Sequence, residues 1–259
     1  MLSDPITRRA LFEVLILALA LGPLGVWILL HRQAYAAESM SHGLLPGLVI
    51  AALAGAPLVL GAAGGALVAA GAIALAARDE RMGADIGVAV AVSALLGIGA
   101  MLALSPEAPP RLEELLFGDL LGISTADLLA AGGLALATGA ALAAAHRPLA
   151  LTAFDREASP SLGATVGRWE TALLVLLGVG TVAAAPGLGS LLLVALIIAP
   201  AAAALRVTRR LPPALAIAAI VAALAGVAGL ALSYYAGLAA GASVALCAVA
   251  APIVARLAT

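Results

Sequence analysis

Glu38-Ser39-Met40-Ser41-His42-Gly43-Leu44-Leu45-Pro46-Gly47 sits inside a long hydrophobic stretch and brings two metal-capable side chains into it. On a helix, Glu38 and His42 stand four residues apart on one face, close enough to hold one ion between them. A carboxylate with a neutral imidazole suits zinc, manganese or iron better than sodium or calcium. Two ligands fall short of the four that a structural zinc site uses, a shortage that suits a pathway, which must also release what it binds. Pro46, Gly47, Gly55 and Pro57 supply breaks in the helices that carry them. Broken helices at membrane depth are tolerated where they line a cavity enclosed by protein.

Composition identifies the solvent around this stretch. Of 259 residues 64% are hydrophobic and only 10% charged, against about 25% charged in a soluble domain. The expected fold is all-α, a polytopic transmembrane helical bundle forming a single domain over residues 1–259. At about 20 apolar residues per crossing, clear spans cover residues 10–30, 84–104, 125–145, 167–185, 188–205, 212–232 and 238–257. The run 10–30 follows Arg8 and Arg9 but exceeds the roughly 7 to 15 residues of a signal-peptide core, and reads as the first membrane helix. Gly61 with Gly65, and Gly237 with Gly241, keep the small-xxx-small spacing of closely packed membrane helices.

Charge sets the expected sidedness. Arg8 and Arg9, Arg78 and Arg81, Arg147 with Arg156 and Arg168, Arg206 with Arg209 and Arg210, and Arg256 are assigned to the cytoplasm. The acidic loop at about 105–123, with Glu107, Glu113, Glu114 and Asp119, is assigned outside. Residues 38–77 must then cross an odd number of times. The expectation is one net crossing with an interrupted or re-entrant piece, hence eight membrane helices with both termini cytoplasmic. Asp79 and Glu80 dilute the Arg78 and Arg81 signal, so nine is the alternative count.

Several functions are set aside at this level. A net charge of −1 and the lack of any basic run exclude nucleic-acid binding. All thirteen basic residues are arginine, so no Walker lysine exists and nucleotide-driven work needs another chain. The single Cys247 allows no internal disulfide and reads as a small core residue. No HExxH motif and no Ser/His/Asp set with a rationale support an intramembrane enzyme.

Ser41-His42-Gly43-Leu44-Leu45-Pro46-Gly47 resembles a signature of the ABC-3 family, the permease subunits of ABC importers for zinc, manganese and iron. Three further regions extend the resemblance over most of residues 30–257. Leu115 to Ser124 is similar to the family's extracytoplasmic segment, and Ala153-Phe154-Asp155-Arg156-Glu157 through Leu162-Gly163 to its cytoplasmic coupling segment. Gly189 to Ala201 resembles its proline-containing helix, and Leu232-Ser233-Tyr234-Tyr235 with Gly241-Ala242 its closing hairpin.

The resemblance implies a type II ABC importer-like bundle in the inner membrane that moves a divalent transition metal (Zn, Mn or Fe) inward. Its implied partners are an ABC ATPase subunit that hydrolyses ATP, an extracytoplasmic metal-binding protein and a second copy of the chain. No stably bound cofactor is implied. Metal would pass Glu38 and His42, doubled across a two-fold axis in a homodimer. The ATPase would engage Phe154, Asp155, Glu157 and Gly163 within about 150–165. Glu113, Glu114 and Asp119 form a docking patch for the binding protein, or else a solvated loop. Two departures stand out: Glu38 occupies a position where the family usually has Asp, and Asp85 adjoins Ile86 where the family's acid lies further upstream, which leaves Asp85 as a helix cap. The alternative from another class is an ion-coupled secondary transporter of a cation or small solute, with Glu38, His42 and Asp85 as a relay.

Overall fold

A computed structural model describes residues 4–76, 84–106 and 118–258 of the chain. Eleven helices and no strand occur among the described residues: α1 (Pro5–Leu30), α2 (Ala34–Gly43), α3 (Leu45–Leu53), α4 (Leu58–Ala76), α5 (Ala84–Ala103), α6 (Thr125–Ala144), α7 (His146–Phe154), α8 (Val166–Leu188), α9 (Ser190–Val207), α10 (Leu211–Ala236) and α11 (Ala240–Ala258). Eight spans are long and apolar enough to cross a membrane, with α2 and α3 counted together as Ala34–Leu53. In α9 the apolar run Leu192–Val207 is shorter; adding it gives nine.

Eight agrees with the sequence, but the set differs. The stretch 38–77, expected to make one net crossing, supplies two spans, Ala34–Leu53 and Leu58–Ala76. At 1.5 Å per residue each runs about 30 Å, the thickness of a hydrocarbon core. The breaks fall where the prolines and glycines put them. Pro46 has no N–H to bond the His42 carbonyl, so α2 gives way to α3 at Leu44, whose own N–H turns back to that carbonyl. Gly55 takes φ 63° in the turn before Pro57 and α4.

Two compact units make up the chain. One holds α1, α6, α9, α10, α11 and the end of α8 from Ala183. Within it α1 packs on α10, α9 and α6, and α9, α10 and α11 pack on one another. Val26, Ala201, Ala204, Ala214 and Ala218 form its buried centre, ringed by Leu29, Leu30, Leu205 and Leu215. Between apolar helices in lipid the attraction is dispersion, which needs close backbones. Small residues permit it: a Cβ on Gly22 would stand 2.8 Å from the Ala218 carbonyl carbon.

Asp4 caps α1, accepting from the Thr7 hydroxyl at 2.6 Å, the Thr7 N–H at 3.2 Å and the Ile6 N–H at 3.3 Å. The Thr7 hydroxyl bond, with the backbone bonds behind it, holds the Asp4 carboxyl below the usual carboxylate range. Asp4, Ile6 and Thr7 line a cleft of about 630 Å³ together with Asp119, Gly122, Ser233, Tyr234 and Leu238. The start of α1 and the turn at Asp119 therefore lie at one end of this unit. A cytoplasmic N-terminus and an extracytoplasmic Asp119, both expected from charge, are mutually exclusive in this arrangement.

The other unit holds α2 to α5, α7 and α8 up to Val182. Its α3 and α4 meet backbone to backbone: a Cβ on Gly47 would fall on the Gly61 carbonyl oxygen and 2.7 Å from the Gly65 nitrogen. Gly61 and Gly65 thus pack as their spacing predicts. Gly237 does not; it ends α10 in the left-handed conformation, φ 67°, with nothing within 4 Å of its would-be Cβ. Arg32 is the one non-glycine residue with positive φ, 59°, among the described residues, in the turn leading to α2. That conformation costs about 1–2 kcal/mol for a residue bearing a Cβ, and the surrounding contacts must hold it.

Candidate functional site

Helix α2 buries Ala36, Ala37, Met40 and Gly43 against its neighbours α3, α4 and α5, and also buries Ser39 and Ser41. Gly43 is the contact point, since a Cβ there would strike the Ala69 methyl of α4. The opposite stripe is not covered within the chain: Tyr35 and Glu38 are exposed and His42 is half-buried. These three stand at i, i+3 and i+7, one face of a helix. His42 lies about 12 Å along the span from Ala34, near its middle. Tyr35 went unremarked in the sequence, though its spacing to Glu38 and His42 was available.

Among the described residues no group of three or more His, Cys, Asp or Glu side chains is arranged to hold a metal. Glu38 and His42 thus have no third His, Cys, Asp or Glu among the described residues placed to share a metal with them. The Pro46 break adds the His42 carbonyl, which has lost its regular helical partner, to the polar groups at this level.

The segment expected to couple to an ATPase forms the end of α7 and the turn after it. Phe154 is the last residue of α7 and is 66% exposed. Asp155, Glu157 and Gly163 are exposed in the same turn, with Gly163 at φ 82°. Asp155 also shapes the turn, its carboxylate accepting from the Ala158 N–H at 3.0 Å. Leu162, 65% exposed, adds a second apolar side chain to this surface. Arg156 pairs with Glu170 of α8 at 2.8 Å.

On the acidic side, Glu113 and Glu114 lie outside the described residues. Asp119 is placed and is engaged locally: its carboxylate accepts from the N–H groups of Leu121 at 3.2 Å and Gly122 at 3.0 Å. Asp85 falls in the first turn of α5. Cys247 is half-buried in α11 and lines an apolar cavity of about 490 Å³ with Ala203, Ile217 and Val221.

Glu13 is a further member of the charged set. It is fully buried in α1, and neither carboxylate oxygen has a hydrogen-bond partner among the described residues. It lies against Gly187, whose Cβ would stand 2.8 Å from Oε1.

An all-helical polytopic bundle with a carboxylate and imidazole on an interrupted span, and an exposed aromatic-and-acid turn outside the spans, is a membrane permease. The chain belongs to the ABC 3 transport family, which it matches over residues 3–258. Its kind is a transport subunit, not an enzyme. It is 31% identical to the manganese transport system membrane protein MntC of Halalkalibacterium halodurans, over 95% of this chain and 85% of that one. It is 27% identical to the chelated iron transport system membrane protein YfeD of Yersinia pestis, over 89% and 78%. Among solved structures, PsaBC from Streptococcus pneumoniae, in complex with Fab, superposes with a TM-score of 0.87 at 26% identity, covering 98% of this chain and 92% of that one. A putative metal-chelate type ABC transporter in an inward-facing conformation shares the fold, with a TM-score of 0.67 at 17% identity over 96% and 85%.

Proposed function

We propose that this chain is the membrane permease subunit of an ABC importer for a divalent transition metal, with manganese or iron as first candidates. Glu38 and His42 ligate the ion in transit. The observation that carries this reading is the uncovered Tyr35, Glu38 and His42 stripe on a span broken at Leu44. A single pair binds weakly, and a second copy of the chain would double it across a two-fold axis. The relatives named for manganese and iron transport support the choice of cargo.

A separate subunit hydrolyses ATP and grips Phe154, Asp155, Glu157 and Gly163. A metal-binding protein delivers the ion at the opposite side, where Glu113, Glu114 and Asp119 are the candidate contacts. The chain sits in the inner membrane as a single permease domain. Nine spans, with Phe154 on the cytoplasmic side, put the C-terminus in the cytoplasm and the start of α1 outside, the side on which Asp4 shares its cleft with Asp119.

The test is metal uptake by the assembled transporter with His42→Ala. Losing a direct ligand should lower uptake at least as much as losing a ligand's supporting hydrogen bond, about tenfold or more, while ATPase assembly persists. Undiminished manganese and iron uptake in that variant removes the pair from the pathway.

A further inference from the structure

The turn that carries the chain into α2 is held by α7 and α8. His31 and Thr152 are both buried, 3% and 0% exposed, and His31 Nε2 lies 3.1 Å from Thr152 Oγ1. Thr152 Oγ1 is also tied to its own helix. Within α7 it stands 2.9 Å from the Pro148 carbonyl oxygen and 3.2 Å from the Leu149 carbonyl oxygen. His31 Nε2 and Thr152 Oγ1 share a hydrogen bond whose direction is set by the imidazole tautomer.

Two residues on, Gln33 Nε2 donates to the Glu170 carbonyl of α8 at 3.2 Å. The same Glu170 takes Arg156, from the turn after α7, through its carboxylate at 2.8 Å. Between the two attachments stands Arg32 with φ 59°. A left-handed arginine persists where its neighbours are fixed on both sides, as they are here.

Helix α2 begins at Ala34, immediately beyond this clamp, with Gln33 as its N-terminal flank. Glu38 and His42 follow about one and two turns further along the same rigid rod. A displacement of α7 therefore reaches the base of α2 through side chains, with no flexible segment in between.

We infer that His31 and Gln33 are positioning residues: they join α7 and its following turn to α2, so that movement of the coupling surface resets the orientation of Glu38 and His42. This rests on the permease reading above and adds the route by which force reaches the ligand pair. His31 and Gln33 touch neither metal nor nucleotide; they act through α2.

The test uses the whole transporter, permease with its ATPase and binding protein in liposomes, and reads manganese transported per ATP hydrolysed. Thr152→Val keeps the shape and removes the hydroxyl partner of the His31 bond; Thr152→Ser keeps it. The expected result is a three- to tenfold drop in manganese moved per ATP for Thr152→Val, about what one hydrogen bond supports. ATP hydrolysis itself continues, and Thr152→Ser restores the ratio. A ratio unchanged in Thr152→Val, or a drop that serine does not restore, overturns the assignment. Should Thr152→Val fail to assemble, Gln33→Ala, whose amide is half-buried, is read in the same way. Failure of the permease reading is a separate outcome, because the unaltered transporter would then move no manganese at the expense of ATP.

Discussion

Replacing Gly47 by alanine tests the packing that shapes the ligand-bearing span. In the native contact a Cβ at Gly47 would lie 2.7 Å from the Gly65 nitrogen and 2.8 Å from the Gly65 Cα, and would fall on the Gly61 carbonyl oxygen. Carbon atoms pack at about 3.5 Å or beyond, so α3 and α4 would have to part by roughly 0.7 Å along this line. Backbone is what must move, since glycines face glycine and no side chain can swing away. Over-packing of this kind costs about 1–3 kcal/mol. Gly64, on the exposed face of the same α4, is the internal control: nothing lies within 4 Å of its would-be Cβ. There alanine should stabilise the helix by about 0.8–1 kcal/mol through backbone entropy. The two variants, chemically the same change, should differ by about 2–4 kcal/mol in opposite directions. Reversible unfolding of the purified chain in bicelles measures the difference, and Gly61→Ala combined with Gly47→Ala should cost less than the sum because one helix separation serves both. If Gly47→Ala is as stable as Gly64→Ala, the α3 and α4 backbones are not in contact and the close packing of this span is refuted.

Two further results are expected. Glu13→Gln keeps the shape of a buried side chain whose oxygens lack partners among the described residues, and removes a charge that burial disfavours; the thermal midpoint should hold or rise by about 2–4 °C, the equivalent of 1 kcal/mol at this size. A fall of that size would mean that a cation or proton donor occupies the carboxylate. For sidedness, Ile6→Cys in a Cys247→Ser background should react with a membrane-impermeant maleimide in intact spheroplasts, and reaction only after permeabilisation would return the start of α1 to the cytoplasm.

What could be read from the residues was whatever depends on neighbours in the chain. Apolar runs of membrane length, the break imposed by Pro46, the i, i+4 relation of Glu38 to His42 and the Gly61 and Gly65 contact each need only a helix to follow. Gly237 shows the limit of the same logic: its spacing to Gly241 matches a packing motif, but its place after Tyr235 and Ala236 makes it a C-cap, and a residue in the left-handed region cannot also pack a helix face. Sidedness depends on distant contacts too. Arg8 and Arg9 were taken to mark a cytoplasmic end, yet Asp4 caps that helix and shares a cleft with Asp119.

Illegible from the start were pairs made by distant segments. Nothing in the residues around His31 points to Thr152, 121 positions away. The bond matters because of what the chain does next: residue 31 ends one helix's influence and residue 34 begins another that carries both candidate ligands. His31 holds the base of α2, while Gly43 near its far end packs against Ala69 of α4, so the helix is anchored at both ends. On the route proposed above, a displacement of α7 would then become a rotation of Glu38 and His42, the kind of motion by which a pathway binds an ion from one side and releases it to the other.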